Sequence, residues 1–84
     1  MTDLQLRVQE YIAVRARLPR DQIEPETLLI TSGLIDSFLV VDIVRLLEDI
    51  SGVRVPDDYV TPDHLDSLAL MQNLIDRLVD SVGH

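Results

Sequence analysis

The sequence predicts an all-α bundle of three main helices plus one short helix, with a long loop between the first two. Three observations carry that expectation. Apolar residues recur at spacings of three and four in three separate segments, as on the buried face of a helix. Cap-forming residues, prolines and glycines bracket those segments. Polar and apolar residues do not alternate over a strand length, and Val53-Arg54-Val55 is the one weak strand signal.

The first helix is expected over 3–17. Thr2 is a good N-cap, and Gln5 stands where a capping box places Glu or Gln. Leu4, Val8, Tyr11 and Ile12 form one apolar stripe, and Pro19 is expected to stop the helix. Residues 18–36 read as a connection punctuated by Pro25 and Gly33. It carries Ile23, Leu28, Leu29, Leu34 and Ile35, too many apolar residues for a free linker. A long loop in a small domain is usually functional or pinned down, and these five are expected to pin it. The second helix starts at Asp36-Ser37, both N-cap types, and runs to Ile50, with Gly52 as a left-handed end. At about 100° per residue, Leu39, Val40, Ile43, Leu47 and Ile50 share one side of it. Phe38, Val41, Asp42, Arg45, Glu48 and Asp49 share the other. Residues 56–60 read as a turn or short loop. Thr61-Pro62 is a cap before a proline at the first helical position, which opens a short helix over 62–65. Asp66-Ser67 offers the cap of the last helix, over 67–80, where Leu68, Met71, Ile75, Leu78 and Val82 repeat at helical spacing.

Composition narrows the function. The chain has 84 residues, so one domain over 1–84 is expected. A domain of this size buries roughly 60–65% of the surface its unfolded chain exposes. That leaves one modest core and little room for an enclosed active site. Fifteen acids face seven arginines, there is no lysine, and the formal net charge is −8. Such a field repels nucleic-acid phosphates and draws in basic protein surfaces. The absence of cysteine excludes disulfides, thiolate metal sites and cysteine nucleophiles. Met1-Thr2-Asp3 is acidic, without the basic start of a signal peptide, and no apolar run approaches the ~20 residues of a membrane span. A soluble, cytoplasmic monomer is expected.

The informative segment is Gly33-Leu34-Ile35-Asp36-Ser37-Phe38, where the long loop meets the second helix. With it go Thr27-Leu28 upstream, then Leu46-Leu47-Glu48, Val53-Arg54-Val55-Pro56-Asp57-Asp58, Thr61-Pro62 and Asp66-Ser67-Leu68. In this order and spacing, over nearly the whole chain, the sequence resembles the acyl carrier protein family, including its peptidyl, aminoacyl and D-alanyl carriers. The resemblance implies an acyl-carrier-like four-helix bundle. It implies a free-standing, non-catalytic carrier with 4'-phosphopantetheine attached to Ser37, transferred from coenzyme A by a phosphopantetheinyl transferase. The terminal thiol of that arm holds an acyl or aminoacyl group as a thioester. Further partners are then the enzyme that loads the cargo and the downstream transferase or condensing enzyme. Asp36 is read by the transferase, near its magnesium ion, or else serves as a cap. Ser37 itself could be no more than a cap. Gly33 permits a tight turn before it.

Two residues depart from the fatty-acid carriers, which usually place Leu after the modified serine and have a strongly acidic second helix. Here that residue is Phe38, and Arg45 stands in the middle of the exposed face. The pattern looks closer to carriers of natural-product or amino-acid-activating pathways. Asp36, Phe38, Val41, Asp42 and Arg45 are therefore the expected partner-recognition residues, with Phe38 an exposed anchor unless it folds back on Leu34 or the third helix. A general fatty-acid carrier and an unmodified acidic helical adaptor are the alternatives. His64 and His84 lack a ligand cluster, and His64 is expected to be a surface or half-buried residue. Asp57, Asp58, Asp63 and Asp66 lack calcium-loop spacing and read as caps and solvated charges.

Overall fold

Four α-helices form where the caps and stripes place them. In the computed structural model, which describes residues 1–82, they are α1 (Asp3–Ala16), α2 (Ser37–Ser51), α3 (Pro62–Leu65) and α4 (Leu68–Val82). Single 3-10 turns at Arg20–Gln22 and Asp57–Tyr59 punctuate the two long connections. Among the described residues there is no strand, and Val53-Arg54-Val55 is irregular. The side chain of Val82 and the whole of His84 lie outside the described residues.

The capping box at α1 closes in both directions. The Gln5 N–H donates to Thr2 Oγ1 at 3.1 Å, and the Thr2 N–H donates to Gln5 Oε1 at 2.9 Å. The end of α1 comes before Pro19. Arg17 turns left-handed (φ 57°), and the Leu18 N–H returns to the Ala13 carbonyl at 3.0 Å. Thr61 precedes α3 without using its hydroxyl as a cap. Ser67 caps α4, its Oγ accepting the Leu70 N–H at 3.1 Å.

The core joins Leu4, Val8 and Ile12 of α1 to Ile43, Val44 and Leu47 of α2 and to Leu68, Met71, Leu74 and Ile75 of α4. Leu65 anchors the short α3 to it. Full burial of each such side chain contributes about 1.5–3 kcal/mol. The long connection is pinned by Ile23, Leu29 and Ile35, all buried. Leu28 and Leu34 do not take part, being 54% and 37% exposed. Hydrogen bonds complete the pinning, since Gln9 Nε2 donates to the carbonyls of Arg20 (3.0 Å) and Ile23 (2.8 Å). No helix among the described residues is long and apolar enough to cross a membrane.

Candidate functional site

The start of α2 is shaped by the loop that feeds it. The Ile35 N–H donates to the Leu29 carbonyl at 3.0 Å, and the Gly33 N–H donates to the Ile30 carbonyl at 3.1 Å. Gly33 lies at φ 82°, with open space where a Cβ would stand, so backbone conformation rather than crowding calls for glycine. Ile35 then enters the core, and Asp36 emerges as the N-cap of α2.

Asp36 and Ser37 divide the work that either could do. Asp36 Oδ1 accepts the Leu39 N–H at 2.8 Å, so the cap is the aspartate. Ser37 is the first residue of α2 and is exposed, and among the described residues its hydroxyl makes no hydrogen bond. The first N–H groups of a helix have no intrahelical acceptor. With Leu39 taken by Asp36, those of Ser37 and Phe38 still lack one.

An apolar cleft of about 290 Å³ opens beside Ser37, between α2 and the start of α3. Ile30, Val40, Val41, Val60, Thr61 and Pro62 line it. On the other flank a shallow groove lies between the end of α1 and the start of α2, lined by Arg15, Leu34, Phe38 and Asp42 among others. Phe38 is 83% exposed and does not fold back into the protein. Val41 is 48% exposed. The expected recognition residues thus lie on one exposed helix but face two grooves. Phe38 and Asp42 face α1, whereas Val41 and Arg45 face the segment 54–60. Asp42 also pairs with Arg15 at 4.0 Å, and Arg15 in turn lies 4.7 Å from the Tyr11 ring centroid.

One expectation is overturned. Asp66 neither caps α4 nor faces solvent; it is 6% exposed. Its Oδ1 accepts the N–H groups of Leu29 (3.1 Å), Ile30 (2.7 Å) and Thr31 (3.0 Å), while Oδ2 accepts the Thr31 hydroxyl at 2.8 Å. Burial pushes the Asp66 carboxyl up, but these hydrogen bonds outweigh it and hold it below its ordinary value. One carboxylate between α3 and α4 therefore fixes the loop that leads to Ser37, including Ile30 in the cleft wall. His64 is half-buried and meets the Tyr59 ring edge-on at 5.0 Å. The remaining aspartates of that stretch, Asp57, Asp58 and Asp63, are exposed.

A scan against protein-family models finds no match for this chain, and a search of curated proteins finds none either.

Proposed function

We propose that the chain is an acyl-carrier-like protein that bears 4'-phosphopantetheine on Ser37 and hands a thioester-bound acyl or aminoacyl group from a loading enzyme to a downstream transferase or condensing enzyme. The observation that carries this reading is the division of labour at α2. Asp36 does the capping, and Ser37 offers an exposed hydroxyl with no structural task. The cap does not need the serine of Gly33-Leu34-Ile35-Asp36-Ser37-Phe38, so its hydroxyl is free for modification.

The surroundings suit the group. A phosphodiester on Ser37 Oγ would lie at the positive end of the α2 dipole, beside the N–H groups of its first turn. The apolar cleft at Ile30, Val40 and Val60 would receive the less polar part of the arm. When bound, the arm supplies the thiol that this cysteine-free chain lacks. The chain itself would bind and present, while the partners carry out the chemistry. Phe38 and Arg45 favour a specialised pathway over fatty-acid synthesis. An exposed aromatic and a cation on the docking helix suit partners other than those that grip an acidic helix with basic patches.

The experiment is incubation with a broad-specificity phosphopantetheinyl transferase, magnesium and coenzyme A, read by intact-mass spectrometry. One phosphopantetheine is expected on the wild-type chain and none on Ser37→Ala. An unmodified wild type would leave the adaptor reading in its place.

A further inference from the structure

The apolar cleft beside Ser37 does not end at α3. At Val41 and Val60 it runs into a larger groove of about 580 Å³, between α2 and the segment 54–60. Val44 and Val55 add to its apolar lining, and Arg45 and Arg54 both line it. Neither guanidinium has a carboxylate oxygen within 4.0 Å among the described residues, where the ion pairs are Arg7–Asp3 and Arg15–Asp42. Two acids share the groove. Glu48 is committed, its Oε2 accepting the Val55 N–H at 2.8 Å, which holds the segment against α2. Asp57 is exposed. Arg45 and Arg54 thus line one groove without an ion-pair partner among the described residues, and a guanidinium in that state can pair with a carboxylate.

We propose that this groove receives a carboxylate at the far end of the tethered cargo, so that the acyl group is a short one bearing a free acid. The inference rests on the carrier reading and names its substrate class. Reach is the quantitative argument. Arg45 lies eight residues beyond Ser37, about 12 Å along the helix axis. An extended chain gains about 1.2 Å per bond, because three backbone bonds span about 3.5 Å. The arm's roughly fourteen bonds from Ser37 Oγ to sulfur therefore extend to about 16 Å. That exceeds the about 12 Å to Arg45, so the thioester and a few further atoms of cargo can lie within the groove that Arg45 and Arg54 line.

The test compares two cargoes of similar length on the same arm. The transferase is given succinyl- or butyryl-coenzyme A, loading is verified by mass, and backbone amide shifts are recorded by NMR. The succinyl form is expected to shift amides of 45–48 and 54–57 at least twofold more than the butyryl form. Arg54→Gln should remove most of that difference while loading to the wild-type extent. Equal shifts from the two cargoes overturn the proposal. So does an equal response of the unmodified chain to free succinate at the protein concentration, which would make this a site for free anions. Failure to load at all removes the carrier reading itself and is seen first, in the mass.

Discussion

Ser37→Ala should leave the fold almost untouched, because the hydroxyl makes no hydrogen bond among the described residues and Asp36 holds the cap. The expected cost is within about 0.5 kcal/mol, as for exposed positions without a structural task. Asp36→Ala should cost about 1 kcal/mol through the lost cap. If thermal melts reverse that order, Ser37 is a structural residue. Asp66 behaves differently again. Asp66→Ala would strip the side-chain acceptor from Ile30, Thr31 and the Thr31 hydroxyl, at a cost of about 2–4 kcal/mol. Amide exchange at Ile30 and Thr31 should quicken with it; unchanged exchange there would mean that the loop is held by packing alone. The carboxyl also sets an acid limit. Its folded value lies below the ordinary 3.8, so its contribution is complete above that value and is lost as pH falls through the folded value. Stability should therefore decline below about pH 4, and Asp66→Asn should flatten that decline. The place of Ser37 at the exposed start of α2 was legible because its neighbours in sequence are its neighbours in space. Asp66 was not, because its partners lie 35 to 37 residues away, and Asp66-Ser67 already reads locally as a helix cap.

The helices were readable where a local rule governs both ends. Thr2 with Gln5, Asp36 and Gly52 each perform the task their residue type suggests. Two stripes proved wider than expected. Val44 on α2 and Leu74 on α4 are buried although neither belongs to the periodic set. The reason is that α2 packs against both α1 and α4, and α4 against α1, α2 and α3, so one narrow seam cannot cover the contact. The loop was read less well, because burial of alternate residues depends on hydrogen bonds that no periodicity announces. Leu29 goes in while Leu28 stays out, and Leu29 is the residue whose N–H reaches Asp66. Gly52 allows a test of one helix end. It lies at φ 75°, and nothing stands near the place a Cβ would occupy, so any penalty of substitution is conformational. Left-handed backbone costs an L-residue about 1–2 kcal/mol, and Gly→Ala returns about 0.4–1 kcal/mol through the unfolded chain. Gly52→Ala should thus destabilise by about 1 kcal/mol, with Gly52→Asn milder. A neutral Gly52→Ala would show that the end of α2 can shift to a right-handed turn.

The whole molecule presents a charge of −8 with one exposed aromatic beside Ser37, and the two should act at different stages of an encounter. The charge acts at long range. Exposed charges are screened beyond about 8 Å at physiological ionic strength, so association with a loading enzyme should slow as salt rises. Phe38 acts at contact. Its ring is 83% exposed, so Phe38→Ala should leave the melting temperature unchanged within about 2 °C, as for a change of under about 0.3 kcal/mol in a domain of this size. A buried aromatic anchor at an interface can be worth about 2 kcal/mol or more. Phe38→Ala should therefore raise the dissociation rate from the cognate partner roughly thirtyfold, with little effect on association. Arg45→Glu adds to the negative field and removes a cation from the docking helix, so it should change the salt dependence more than the dissociation rate. Stopped-flow association and dissociation of wild type, Phe38→Ala and Arg45→Glu across a salt series separates these effects. If Phe38→Ala dissociates at the wild-type rate while Arg45→Glu alone alters binding, recognition is electrostatic and centres on the groove toward 54–60. If neither variant differs from wild type, partners approach Ser37 from the α3 side, across Val60 and Pro62, and the exposed face of α2 is not the docking surface.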